Sequence, residues 1–163
     1  MYTPAALLDM HERSQKTLHG LIAHCGSLSP QELEREMPDF GLPPHGEPTV
    51  RLQLTHTIGA QRYWLGCLQG RIEAEDPVLA SIAEVEAFRE GVAASVAAYL
   101  RGASEAELST PRLVKTFHGE RELMPARVIV RTLVHIYDHK GKVAAMCRAM
   151  GKPIPAGLDF ALM

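Results

Sequence analysis

The sequence predicts an all-α protein: a four-helix bundle, with a small β-hairpin or extended excursion before the last helix. Three observations predict it. Apolar residues recur at helical spacing in four long stretches, which is the pattern of helices that each bury one face. Ser or Thr caps, first-turn prolines and acids three residues further on mark the helix starts. Clusters of glycine and proline separate the stretches. With 163 residues and 46% apolar composition, the chain is expected to form a single domain over residues 1–163, burying roughly two-thirds of its unfolded surface.

Composition also narrows the function. A net charge of −2 from mixed signs gives no electrostatic reason to expect nucleic acid as a partner. Cys25, Cys67 and Cys147 are odd in number and show no Cys-x-x-Cys spacing, so they read as small buried hydrophobes in a reducing compartment. No stretch reaches the apolar length of a membrane span, and the N-terminus lacks a basic region followed by an apolar run. The expectation is a cytoplasmic protein with no membrane partner.

In chain order, Pro4 to about Leu28 predicts the first long helix, with Leu7, Leu8, Leu18, Leu21 and Ile22 as its apolar stripe. His11, His19 and His24 fall on it at irregular spacing and read as solvated or core-edge residues. Ser29-Pro30-Gln31-Glu32 is a capping box that opens a short helix. Gly41 to Pro48 predicts a loop. The second long helix spans about Thr49 to Leu68, apolar round much of its circumference, with Arg51 and Arg62 marking the solvent side. Gly70 to Pro77 is an acidic linker. Ser81 and Glu84 form another capping box for a third helix ending near Gly102, whose Ala83, Val85, Ala87, Val92, Ala93, Val96, Ala97 and Leu100 suit close packing. Ser104 to Glu107 caps one more turn, and residues between Pro111 and Pro125 form the hairpin or excursion. The fourth long helix runs from about Pro125 to Met150, stopped by Gly151-Lys-Pro153-Ile-Pro155.

Chemistry concentrates on that last helix. His135 and His139 are four apart, so their imidazoles lie on one face and can address one atom. A protein-held divalent metal needs a third ligand, with an open position if the site is catalytic. The candidate is His56 on the second long helix, where the small Gly59 and Ala60 leave room beside the ring. Cys67 shares that stripe but lies about 16 Å along the axis, too far to join a metal on His56.

These residues resemble the DinB/YfiT-like metal-binding four-helix bundles. The resemblance rests on Leu54-Thr-His56 through Tyr63-Trp64-Leu65, on His135-x-x-x-His139-Lys-Gly-Lys142, and on Gly151-x-Pro153-x-Pro155. It implies a three-histidine site at His56, His135 and His139 for a divalent ion, zinc or nickel, and a tendency to form homodimers. It further implies a thiol-dependent S-transferase or isomerase, in which the metal holds a low-molecular-weight thiol such as mycothiol or bacillithiol for reaction with a small-molecule substrate. Where that family often carries Arg and Gln after the last histidine, this chain has Lys140 and Lys142.

A helical wheel at about 100° per residue places Arg131, His139 and Lys142 within about 40° of His135, with Val128 and Met146 on the same stripe. Arg131 and Lys142 are therefore candidates to receive an anionic substrate. Gln53, one turn before His56, is a candidate to orient a ligand. The apolar arc centred on Ile129, Leu133, Ile136 and Ala144 lies more than about 100° from His135, so a plain polar face that carries two histidines also fits the wheel. Three functions remain open: a metal-dependent transferase or hydrolase; a non-catalytic metal-binding or stress-related module; and a structural dimerisation bundle whose histidines bind nothing. No Gly-rich phosphate loop, Gly-x-Ser-x-Gly elbow or activated cysteine competes with the histidines.

Overall fold

The computed structural model describes residues 2–40, 47–72 and 76–161. Among the described residues four long helices dominate: α1 (Pro4–Cys25), α3 (Val50–Leu68), α4 (Ile82–Gly102) and α6 (Pro125–Ala149). Two short helices, α2 (Pro30–Leu33) and α5 (Glu105–Ser109), and a turn of 3-10 helix at Pro38–Phe40 join them. Strands β1 (Arg112–Thr116) and β2 (Gly119–Leu123) form an antiparallel hairpin that pairs Val114 with Arg121 and Thr116 with Gly119. The excursion before the last helix is thus a hairpin, and Gly119 takes the positive φ (95°) that its turn requires.

Caps set the helix starts. The hydroxyls of Thr3, Thr49, Ser81 and Ser104 each accept an N–H from the first turn, a contact that contributes about 1 kcal/mol where it occurs. Ser29 and Glu32 close a complete capping box. The Ser81 box is offset instead, because the Glu84 carboxylate takes the N–H of Ala80. α6 has no side-chain cap and starts on Pro125, whose missing N–H needs no partner.

Around the bundle the helices follow the order α1, α4, α3, α6, each packing on the next and α6 closing on α1. Cross-helix contacts give their directions. His11 with Ala93, Gln15 with Arg89 and His19 with Glu86 run in opposite sequence senses, so α1 and α4 are antiparallel. Gln53 with His139 and Trp64 with Arg131 do the same for α3 and α6. Thr17 with Tyr137 and His24 with Lys152 run in the same sense, so α1 and α6 are parallel. α3 and α4 are therefore parallel too, and the segment between them must travel back along the bundle. That return brings residues 76–79 beside α3, where the Leu79 carbonyl accepts from Arg51.

The core lies between the long helices, with Leu7, Leu18, Leu21 and Ile22 from α1, Leu54 and Ile58 from α3, Val96 and Leu100 from α4, and Ile129, Ile136 and Met146 from α6 all nearly inaccessible. Each such side chain contributes about 1.5–3 kcal/mol through burial. Cys25, Cys67 and Cys147 are free and buried. No helix among the described residues is long and apolar enough to cross a membrane.

Several expectations need correction. α1 ends at Cys25, three residues early, because Gly26 and Ser27 turn the chain toward the Ser29 cap. Arg51 and Arg62 do not mark a solvent side: Arg51 is half-buried against Glu34, and Arg62 lies over the Phe88 ring. Leu52 is exposed there instead. His11 is inside the core with its Nε2 on the Ala93 carbonyl, since α4 presents small residues that let α1 approach. Ala83 and Ala87 face solvent. Most of the Gly41–Pro48 loop and part of the Gly70–Pro77 linker lie outside the described residues.

Candidate metal centre

α3 and α6 meet where His56 faces His135 and His139. Ring centroids are 5.3 Å apart for His56 and His135, 5.0 Å for His56 and His139, and 4.3 Å for His135 and His139. One ring nitrogen from each lies within 4.8 Å of the others. Three imidazole donors so placed suit an ion bound through about 2.1 Å metal–nitrogen bonds. The stripe that carries them is no plain polar face. Val128, His139 and Met146 are buried on it, because the stripe turns toward α3 and not toward solvent.

Hydrogen bonds settle which nitrogens are free. His139 Nδ1 lies 2.5 Å from Gln53 Oε1, and Gln53 Nε2 donates to the carbonyls of Glu47 (2.6 Å) and Phe40 (3.3 Å). With its N–H groups committed, Gln53 can only accept from His139. Nδ1 therefore carries the proton and Nε2 keeps its lone pair. His56 Nδ1 faces carboxylate oxygens of Glu47 at 3.3 Å and Asp76 at 3.6 Å, ion-pair contacts that turn Nε2 to the other side of the ring. Carboxylate or amide oxygens behind ligating imidazoles fix ring orientation and raise donor strength.

The electrostatics divide the three. Burial first, then positive charge at His56 and Arg131, pushes His135 down to about 4. His139 is pushed down to about 3 by burial, then by His135 and Lys142. His56 goes the other way, raised by its contact with Asp76 against the effect of burial. Two of the rings are thus held neutral at physiological pH, the state in which imidazole can bind a metal.

Glu47 and Asp76 were invisible in the sequence. Both belong to segments with no periodicity, and neither stands near His56 in the chain. Gly59 carried the one usable signal, because a Cβ there would overlap the Asp76 carboxylate. A cleft of about 260 Å³ opens beside the cluster, lined by His56, His135, Asp76 and Arg131 together with the rings of Tyr63, Trp64 and Phe117. Of the two cationic candidates, Arg131 lines this cleft, with its guanidinium 5.0 Å from the Trp64 ring. Lys142 is not among the lining residues, and its ammonium pairs with Asp138 at 3.0 Å.

A bundle of four helices with a histidine cluster on two facing members is a known way to build a ligand or metal site. Residues 10–143 match the DinB superfamily, and the chain belongs to it. No curated protein matches the sequence.

Proposed function

We propose that His56, His135 and His139 bind one divalent ion, zinc or nickel, and that the protein is a metal-dependent enzyme acting on a small molecule in the adjoining cleft, of the thiol S-transferase or isomerase type. The observation that carries this reading is the convergence of three nitrogens within 4.8 Å, with the far nitrogens of His56 and His139 already occupied by protein oxygens. When bound, the ion supplies stabilisation of a thiolate or hydroxide at its open position. The protein's own part is to keep His135 and His139 neutral, to orient His139 through Gln53 and His56 through Glu47 and Asp76, and to wall the cleft with aromatic rings. Lys142, paired with Asp138, contributes positive field at His139 and does not receive substrate. The homodimer that the resemblance implies belongs to the same reading, and sedimentation at two concentrations tests it.

Metal content per chain, measured by elemental analysis on protein purified without an affinity tag, tests the centre. About one ion in the wild type, lost in both His56→Ala and His135→Ala, supports a site shared by α3 and α6. Equal near-zero occupancy in all three after incubation with zinc or nickel ends the metal reading. Thiol-dependent conjugation of an electrophilic dye, present in the loaded wild type and absent in His135→Ala, separates the enzyme from a non-catalytic metal-binding protein.

A further inference from the structure

Four helix-borne arginines of this protein are committed to carboxylates. Arg13 meets Asp9, Arg51 meets Glu34, Arg89 meets Glu86 and Arg101 meets Glu12. Arg131 meets no carboxylate or carbonyl among the described residues, and what sets it apart is its ring contact: its guanidinium rests over the face of Trp64 at 5.0 Å. A guanidinium stacked on a ring keeps its in-plane N–H fork free for a planar anion, which it binds through two parallel hydrogen bonds. Arg131 lines the cleft together with His135.

The aromatic part of the lining is braced. Tyr63 and Phe117 stack with ring centroids 5.0 Å apart and planes 10° from parallel. The Phe117 N–H donates to the Tyr63 hydroxyl at 3.0 Å. Phe117 sits at the tip of the hairpin and is 59% exposed, an apolar ring held at the rim of a cleft. Gly59 and Ala60 line the cleft beside His56, and the Asp76 carboxylate lies over Gly59. At about 260 Å³ the space is smaller than an ordinary drug-sized pocket, for which about 300–1,000 Å³ is usual. A body of one ring or its equivalent fits that size.

Charge sets a further limit. The Asp76 carboxylate lines the same cleft on the His56 side. A second negative group on the ligand would face it, and like charges in a partly enclosed space repel.

We propose that this cleft is a binding site for a small monocarboxylate with a planar apolar body: Arg131 receives the carboxylate on its Trp64 shelf, and Tyr63 and Phe117 of the hairpin tip hold the body beside the metal centre. This deepens the function proposed above and rests on it for what happens to the bound molecule. The binding itself rests on Arg131 and the aromatic wall.

Trp64 is the single tryptophan of the chain, so its fluorescence reports on the cleft. Benzoate and its neutral isostere benzamide are titrated into chelator-treated and zinc-loaded protein, and calorimetry supplies the affinities where a variant alters the Trp64 signal. The expected result is saturable binding of benzoate in both forms, at least about tenfold tighter than benzamide, as a charge-assisted bidentate pair requires. Arg131→Gln removes that preference and leaves benzamide unchanged. Phe117→Ala weakens both probes by the same factor, because it removes only apolar contact. No saturable binding, equal affinity for the two probes, or a preference that survives Arg131→Gln overturns the proposal. Benzoate bound only to zinc-loaded protein, with its preference intact in Arg131→Gln, places the carboxylate on the ion, and it overturns this proposal while supporting the metal reading. Arg131-dependent binding in a protein that retains no zinc supports this proposal and overturns the metal reading.

Discussion

On α1, His11, His19 and His24 each end against one partner from another element: the Ala93 carbonyl at 3.1 Å, the Glu86 carboxylate at 2.7 Å and the Lys152 carbonyl at 3.1 Å. On α3 and α6, His56, His135 and His139 end against one another, while oxygens of Gln53, Glu47 and Asp76 take the outer nitrogens of two of them. Both sets ride on helices of one bundle. The difference is that each isolated imidazole spends one nitrogen on whatever oxygen its helix meets, whereas three that converge direct nitrogens at a common point. A histidine's chemistry is decided by what its far nitrogen touches.

Exchanging roles between the two sets tests that contrast. The largest effect is expected from His135→Ala, which should lower zinc affinity by more than the about 100-fold typical of a lost supporting contact. His19→Ala and His24→Ala should keep the ion, and competition with a chromophoric chelator measures all three. Gln53→Ala leaves every proposed ligand in place but frees the His139 Nδ1 proton, so zinc affinity should fall about 10–100-fold in the same assay. If Gln53→Ala binds as the wild type does, the orientation argument fails.

His11→Ala should act in the opposite domain of properties. It removes a buried ring and a hydrogen bond, at a cost of about 2 kcal/mol in denaturant unfolding, with metal content unchanged.

A smaller effect is expected from pH in the metal-free protein. His135 and His139 are held well below 6.5, so between about pH 6.5 and 4 the unfolded chain binds protons that the folded site refuses. Stability should therefore fall as pH drops through that window. His56, raised by Asp76, contributes in the opposite sense: its stabilisation is present below 6.5 and is lost as pH rises through its folded value. The His56 window lies above pH 6.5 and that of His135 and His139 below it, so stability of the metal-free protein peaks near pH 6.5 and falls toward pH 5. Unfolding chelator-treated protein at pH 6.5 and pH 5 should show the fall, and His135→Ala with His139→Ala should remove it.

The smallest effect belongs to His19→Ala. Its ion pair with Glu86 is exposed, and such pairs are worth about 0–1 kcal/mol. A larger loss of stability would mean that the α1 histidines carry more than local contacts.

Much of the architecture could be read before any coordinates. Capping at Ser29, Ser81 and Ser104, the first-turn Pro125 and the Gly151 stop are local signals that depend on neighbours within one turn. The His135 and His139 pair was equally local, since four residues of helix bring two rings together whatever surrounds them. His56 was legible as a candidate because Gly59 and Ala60 promised space. The burial of His11 and the half-buried positions of Arg51 and Arg62 were not legible, because they depend on which helix lies opposite.

What the sequence determined by itself was therefore the set of helices, the hairpin as one of two alternatives, and three histidines worth testing, all consequences of periodicity and caps acting over a few residues. Only the tertiary structure decided that α3 and α4 run parallel. That direction sends the intervening chain back along α3 and lays Asp76 against Gly59 and His56. Only it brought Phe117 from the hairpin tip onto Tyr63 and left Arg131 on Trp64 without a carboxylate among the described residues. The physical reason is range: a cap or an i,i+4 pair is fixed by its own turn of helix, whereas the carboxylates and rings around the centre arrive from segments 9 to 54 residues away in the chain, placed by the packing of the whole bundle.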